Sequence, residues 1–365
     1  MIGVWLIAIL IVILAVMCFM RLYPPFGRKP AGQESAAIAR SQQFTGKKFE
    51  NPVPPNMNMN VGEMVKVMRE MASPSIRPSR PLEMDRPALE SAGASELKLT
   101  WFGHSAALLH IEGKTLLLDP MFGRTPSPFP WFGKPRYSGA LPFDINELPR
   151  VDAVILSHDH YDHLDYGTIK RIQHKVGKFI VPLGVGSHLQ RWGVSVDRIE
   201  EHDWWEETTY AGLELVCTPA NHFSGRSLTD RGSTLWCSWV IKGASHAVFF
   251  SGDSGYGPHF TQIGEKYGPF DLTLMECGQY DRRWADIHML PEETVQAHEE
   301  VRGDVLVPIH WGAFTLSVHS WTEPVERAFA AAARKEIRIV TPRIGQTLSL
   351  QALRELKPVW WKDAT

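Results

Sequence analysis

An α+β fold, carried behind an apolar N-terminal helix and an extended arm, is what this sequence predicts. Three observations predict it. The run from Ile2 to Met20 is apolar and uncharged throughout. A stretch rich in Pro, Gly, Ser, Asn and Met follows, with Pro24-Pro25 and Pro52-Val53-Pro54-Pro55 inside it. Beyond it, apolar runs of strand length alternate with segments of helical period, and several of those runs end on a His or an Asp.

The opening run is long enough to cross a bilayer as a helix. A cleaved signal peptide would want a basic leader and a small-x-small cleavage site, and neither is here. Met17 before Cys18 is likewise a poor lipoprotein cleavage site. Arg21, Arg28 and Lys29 follow the run and nothing basic precedes it, which places the folded domain in the cytoplasm by the positive-inside rule. The arm reads as extended. Val61, Met64, Val65 and Met68 recur within it at helical spacing, with Pro74 just beyond the helix end. That helix either packs on the domain or offers a Met-rich surface that dips into lipid or lines an entrance.

Leu97–Trp101 and the run from Ala106 to Leu118, turning at Glu112-Gly113-Lys114, open the domain as hairpins. Thr125–Pro149 has many Pro and aromatic residues and no period, so it reads as a long loop near the mouth of a site. Helices are expected at Leu164–Lys175, Pro291–Arg302 and Glu323–Lys335, the last with Thr322 as N-cap and Pro324 in its first turn. Gly232–Ile241 and Ala247–Phe250 form a hairpin around Lys242-Gly243-Ala244-Ser245.

The most informative segment follows the strand-like Val151–Leu156: Ser157-His158-Asp159-His160-Tyr161-Asp162-His163. Three imidazoles and a carboxylate at a strand end can aim several ligand atoms at one point. Neutral imidazole and carboxylate suit Zn²⁺ and, less selectively, other first-row metals such as Mn²⁺ or Fe. Three more apolar runs end the same way: Leu213–Pro219 before His222, Ala247–Phe250 before Asp253, and Val305–Ile309 before His310. Ligands converging on one sheet edge are how α/β frameworks build sites, since the strands stay rigid while the loops vary.

The pattern H-x-H-x-D-H, then a distant His, an Asp and a final His, resembles the metallo-β-lactamase superfamily of four-layer αββα hydrolases. Other runs resemble the branch that holds the N-acyl-phosphatidylethanolamine-hydrolysing phospholipase D. They are Thr100-Trp101-Phe102-Gly103-His104-Ser105, Leu118-Asp119-Pro120, Asp203-Trp204-Trp205-Glu206-Glu207, Gly268-Pro269-Phe270-Asp271-Leu272 and His310-Trp311-Gly312. The resemblance implies a four-layer αββα sandwich with two Zn²⁺. His158, His160 and His222 would hold one ion, Asp162, His163 and His310 the other, and Asp253 would bridge them. It implies that Asp253 orients and deprotonates a metal-bridging hydroxide's parent water, and that His288 contacts the substrate phosphate or protonates the leaving alkoxide. His104 would steady a ligand. Met275–Trp284 departs from the family's run, placing Glu276 and Gln279 near the mouth.

The expected division is thus residues 1–22 as membrane anchor, 23–95 as the arm with one short helix, 96–350 as catalytic domain and 351–365 as a C-terminal tail. The substrate class is a phospholipid, with a lactone or small phosphoester as the alternative and an inactive membrane scaffold as the non-enzyme alternative. Composition is ordinary for a globular protein, with 44% hydrophobic and 21% charged residues over 365. A net charge of −2 gives no basic surface for nucleic acid. Cys18, Cys217, Cys237 and Cys277 are scattered, as small apolar residues rather than a disulfide framework. A homodimer is compatible with all of this, and the oligomeric state is left open.

Overall fold

The computed structural model describes the whole chain except residues 57, 58, 91, 92, 94, 358 and 365. Among the described residues, fourteen strands form two seven-stranded sheets. The first sheet contains β1 (Leu97–Trp101), β2 (Ala107–Ile111), β3 (Lys114–Leu118), β4 (Val151–Ile155), β5 (Val176–Pro182) and β6 (Ile199–His202) in sequence order. The second contains β7 (Glu207–Tyr210), β8 (Leu213–Thr218), β9 (Ser238–Lys242), β10 (Ala247–Phe250), β11 (Phe270–Glu276), β12 (Gly303–Ile309) and β13 (Arg338–Ile339). The chain then crosses back, and β14 (Thr347–Ser349) pairs antiparallel with β1.

Alternation along the strands sets the layers. Leu109, Leu116, Leu118, Ala153 and Ile155 point at Leu215, Cys217, Trp239 and Ile241 of the facing sheet, in one continuous core. Their neighbours Leu108, Leu117 and Val154 point the other way. There they meet α4 (Tyr166–Ile172) and α5 (Gly186–Arg191) through Ile169, Ile172, Leu189 and Trp192. Helices α6 (His259–Tyr267), α7 (Pro291–Glu300) and α8 (Glu323–Arg334) cover the second sheet. The result is the helix–sheet–sheet–helix sandwich. The expected helices are present but shorter. The first closes as a 3₁₀ turn at Gln173–Lys175, and Thr322 makes no capping bond with its side chain.

Two expectations change. Residues 351–357 and 359–362 are built into the fold rather than trailing from it. Helix α9 (Leu350–Glu355) follows β14 directly, and Trp360 and Trp361 are buried in the main core. The arm is also more ordered than its composition suggests. It carries α2 (Gln33–Ile38) as well as α3 (Val61–Met71), and buries Ile38, Phe49 and Leu82 against the domain. Prolines remove backbone donors and periodicity, so an arm of this kind shows its contacts only once the chain is folded.

At the N-terminus, α1 (Ile2–Leu22) is long and apolar enough to cross a membrane, and none of Val4–Leu22 is buried in the protein. Helix α3 has a full capping box, Asn60 accepting from the Glu63 N–H and Glu63 from the Asn60 N–H. Its periodic stripe of Val61, Met64, Val65 and Met68 faces outward, while Val67 is the residue it buries.

Glu201 in β6 accepts a 2.7 Å bond from the Gly186 N–H at the start of α5. Burial lifts its carboxyl to about 7. The folded protein therefore holds this proton more tightly than the unfolded chain, and stability falls as pH rises from the ordinary carboxylate value through about 7. Glu201→Gln removes that slope. Its melting temperature should match wild type near pH 5 and exceed it near pH 8, by on the order of 2 kcal/mol of stability, which thermal denaturation at the two pH values checks.

Candidate metal centre

The strand ends named above meet at one edge of the sandwich. β4 of the first sheet delivers residues 157–163, and β8, β10 and β12 of the second deliver His222, Asp253 and His310. Asp159, between two of the histidines, faces away from them and pins the loop. Its carboxylate accepts from the Gly225 N–H at 2.7 Å and from the Thr234 hydroxyl at 3.0 Å, and its carbonyl accepts from the buried Arg226. With the alternate residue so anchored, His158 and His160 are turned to the same side.

The ring nitrogens form two sets. His158 Nε2 lies 2.9 Å from His160 Nδ1, which lies 3.2 Å from His222 Nε2. On the other side, Asp162 Oδ2 lies 3.4 Å from His163 Nε2 and 3.3 Å from His310 Nε2. Asp253 Oδ2 stands between the sets, 3.1 Å from His163 Nε2 and 3.2 Å from His310 Nε2, and 3.8 and 3.7 Å from His158 and His222 Nε2. All seven sequence-predicted ligand residues are thus brought together. Asp253 is the one that touches both groups.

This donor set fits divalent cations. Tetrahedral ligation by imidazole at the usual bond length separates ligand atoms by about 3.4 Å, and the spacings here cluster around that figure. Four of the five rings have Nδ1 committed elsewhere, which leaves Nε2 as the inward atom. His158 Nδ1 is 2.9 Å from the Ser157 hydroxyl, which itself donates to Asp119 at 2.5 Å. His163 Nδ1 meets Asp119 Oδ2 at 2.7 Å, His222 Nδ1 donates to the Ile287 carbonyl at 3.0 Å, and His310 Nδ1 to the Gly278 carbonyl at 3.2 Å. His163 Nε2 and Asp253 Oδ1 are buried with no hydrogen-bond partner. Left so, such atoms are costly, and a cation relieves them.

Electrostatics agree. Burial drives His158 and His222 well below the ordinary imidazole value, so both are neutral. Burial opposes charge on Asp162 and Asp253 too, but the imidazoles around them, His163 foremost, hold both well below the usual carboxylate range. At His163 burial is outweighed by Asp253, Asp162 and Asp119, which raise it well above its ordinary value. Three carboxylates around one imidazole is an excess of negative charge of the kind a dication neutralises.

The backbone here is strained. His104, Asp119 and His310 all have positive φ, at 57°, 36° and 63°, a region costly for residues with a Cβ. His104 and His310 are clasped in it. His310 N–H donates to the His104 carbonyl at 3.0 Å, and His104 N–H to the Trp311 carbonyl at 2.9 Å. Burial takes His104 down to about 3, so its neutral ring donates from Nε2 to Asp162 Oδ2 at 2.8 Å. At Gly252 the backbone also turns with positive φ, and a Cβ there would sit 2.5 Å from the Ser157 Cβ. Only glycine lets Asp253 approach the His158 loop so closely.

His288 is at the mouth, its ring stacked on His310 at 5.0 Å and 4.9 Å from that of His222. Its Nδ1 lies 3.1 Å from Glu276 Oε2. Glu276 is buried, accepts from the Ser254 and Met289 N–H groups, and is pushed well above the usual carboxylate range by burial and then by Asp253. Gln279 does not reach the mouth as expected. It is turned into the loop behind His310, donating to the Phe314 carbonyl at 3.0 Å and accepting from the Leu316 N–H at 2.8 Å. Asn51 is the residue that sequence reasoning missed altogether. From the arm, its amide donates to the His222 carbonyl at 2.7 Å and its oxygen accepts from Trp236 Nε1 at 3.0 Å.

Two sheets, a ligand cluster at their common edge and paired acid–imidazole supports define a metal-dependent hydrolase. Residues 114–311 match the family model described as the Beta-lactamase superfamily domain, and the chain belongs to that superfamily. It is 46% identical over 300 residues to an uncharacterized protein of Mycobacterium tuberculosis, covering 81% of this chain and 79% of that one. It is 34% identical over 246 residues to N-acyl-phosphatidylethanolamine-hydrolyzing phospholipase D 1 of Caenorhabditis elegans, covering 64% of this chain and 69% of the relative. Among solved structures, isothiocyanate hydrolase from Delia radicum gut bacteria superposes with a TM-score of 0.55 at 20% identity, covering 69% of this chain and 98% of that one. That last likeness is one of fold.

Proposed function

We propose that this chain is a membrane-tethered, dinuclear-zinc phosphodiesterase of phospholipase D type, acting on N-acyl-phosphatidylethanolamine-like lipids. One observation carries the metal reading: Asp253 Oδ2 lies within 3.8 Å of ligand nitrogens from both sets. The phospholipase D relative supports the substrate class. The exposed α1 supports the tether, and Arg21, Arg28 and Lys29 following it support a domain on the cytoplasmic side.

His158, His160 and His222 would hold one cation, Asp162, His163 and His310 the second, with Asp253 shared. When bound, two such ions polarise a phosphoryl oxygen and make water acidic enough to supply a nucleophile near neutral pH. The protein's own groups do the rest. Asp253 Oδ1, with no partner of its own, is the acceptor for the nucleophile's proton. His288, its Nδ1 held by Glu276, has Nε2 left to donate to the leaving alkoxide. Phe223, its ring 4.6 Å from that of His160, shields that side from water.

Purified protein carrying two equivalents of zinc should release phosphatidic acid from vesicles containing N-acyl-phosphatidylethanolamine. A soluble lactone assayed in parallel is the control. Turnover of the lactone alone would overturn the lipid reading while leaving the hydrolase intact.

A further inference from the structure

Three exposed apolar elements, far apart in sequence, are joined in series by contacts, and the last of them packs beside the metal centre. The first is the exit of α1. Phe19 stacks on Phe129 at 6.2 Å, and the Tyr23 hydroxyl donates to the Pro128 carbonyl at 2.9 Å. The second is the loop so attached. Phe129 packs on Trp131 at 5.5 Å, yet Trp131 and Phe132 are 74% and 68% exposed. The third is α3. The Lys134 ammonium, two residues past Phe132, is held by the Met71 carbonyl at its C-terminal end, and Arg77 just beyond the helix donates to the Pro135 carbonyl at 3.0 Å.

The outward stripe of α3 is apolar, with Met64 50% and Met68 57% exposed. Its opposite side is fixed to the site. Val67 packs on Trp284 and Ile287, and the Ile287 carbonyl is the acceptor for the ligand His222. A surface helix normally turns its stripe inward. Here the stripe is left out while a single valine is buried, which is the pattern of a helix lying in a membrane interface. Charge matches as well. Lys66 and Arg69 flank the stripe and Arg282 stands beyond it, all exposed, and neither Arg69 nor Arg282 has an ion-pair partner among the described residues. Cations bordering an apolar stripe reach lipid phosphates while their stems stay in the apolar layer.

Resting on the membrane-tethered reading above, we propose that α3 and the Trp131-Phe132 loop insert into the headgroup–acyl boundary of the leaflet from which α1 emerges. The occupant of this surface is lipid. The metal centre then opens against the bilayer rather than toward bulk water. The substrate class this surface selects is one presented in a membrane plane.

The test uses the full chain in vesicles of phosphatidylcholine and phosphatidylglycerol, with and without brominated acyl chains that quench a nearby fluorophore. Cys18 is the only exposed cysteine and reports α1 when labelled in the native sequence. In a Cys18→Ala background, Met64→Cys reports α3, Phe132→Cys the loop, and Ser245→Cys the turn at the opposite sheet edge. Quenching of about twofold or more at Cys18, 64 and 132, with none at 245, is the expected result. Quenching at Cys18 but not at 64 and 132 would leave the tether and overturn the surface. Quenching at 64 and 132 but not at Cys18 would keep the surface and overturn the span. Loss of both signals overturns both. If 64 and 132 are shielded instead by a second copy, seen as a doubled mass in detergent with no lipid quenching, the lipid assignment is overturned.

Discussion

Asp253→Ala is expected to abolish turnover, lowering kcat/KM by at least about 10³-fold, or ~4 kcal/mol of transition-state stabilisation. The size follows from the position. One carboxylate oxygen faces four imidazoles belonging to two ligand sets, and the other is buried without a partner. In the proposed mechanism alanine removes the shared ligand and the proton acceptor together, so the loss should exceed that of any residue serving one set. Metal analysis of the variant should show fewer than two equivalents bound, and kinetics on vesicle substrate should show the fall. Asp253→Asn separates the roles, since it keeps one oxygen of ligand type and loses the basicity. Undiminished activity in Asp253→Ala would show that the turnover measured does not arise at this centre, and would revive the reading of the chain as a scaffold with an inactive site.

The second large effect is expected far from the metals in sequence. Trp360→Ala should cost ~3–5 kcal/mol, the range for truncating a large buried aromatic, and lower the melting temperature by on the order of 10 °C. Trp360 stacks on Trp311 at 5.8 Å and lies 6.3 Å from Trp321, while Trp311 stacks in turn on Trp101 at 5.4 Å. Its indole donates to the Pro342 carbonyl at 3.1 Å. Trp311 is the residue after His310, and its carbonyl holds the strained His104. A cavity at Trp360 therefore loosens the clasp behind His310, and divalent-metal affinity should fall along with stability. Thermal denaturation and competition with a chelator measure the two. A variant as stable as wild type would show that the C-terminal residues are peripheral.

The ligands were legible because their signal is local. An apolar run of strand length followed at once by His or Asp states both the rigid support and the chemistry, and it recurs at β4, β8, β10 and β12. The strands were legible for the same reason, since hairpins and strand runs keep their period, while their stacking as a four-layer sandwich was implied by the resemblance to the superfamily. What escaped lies in long-range contacts with no periodic trace. Asn51 reaches His222 across 171 positions of chain, and nothing in a Pro-rich stretch marks one asparagine among several. The buried Trp360 and Trp361 follow a short helix and read as an end. Gln279 adopts positive φ and is turned into the loop behind His310. For α3 the period was visible but not its orientation, because a stripe of Val and Met suits either a protein core or a lipid layer.

The Asn51 bond to the His222 backbone sets a limit on how the chain can be shortened. Phe26 is buried, the Pro25 carbonyl accepts from the buried Arg226, and the Arg28 N–H donates to His188 at 3.1 Å. Trimming for crystallisation or solution work therefore has to cut between the apolar helix and Tyr23. A boundary placed at residue 95, where the strands begin, would yield a protein with intact sheets and a slack third histidine.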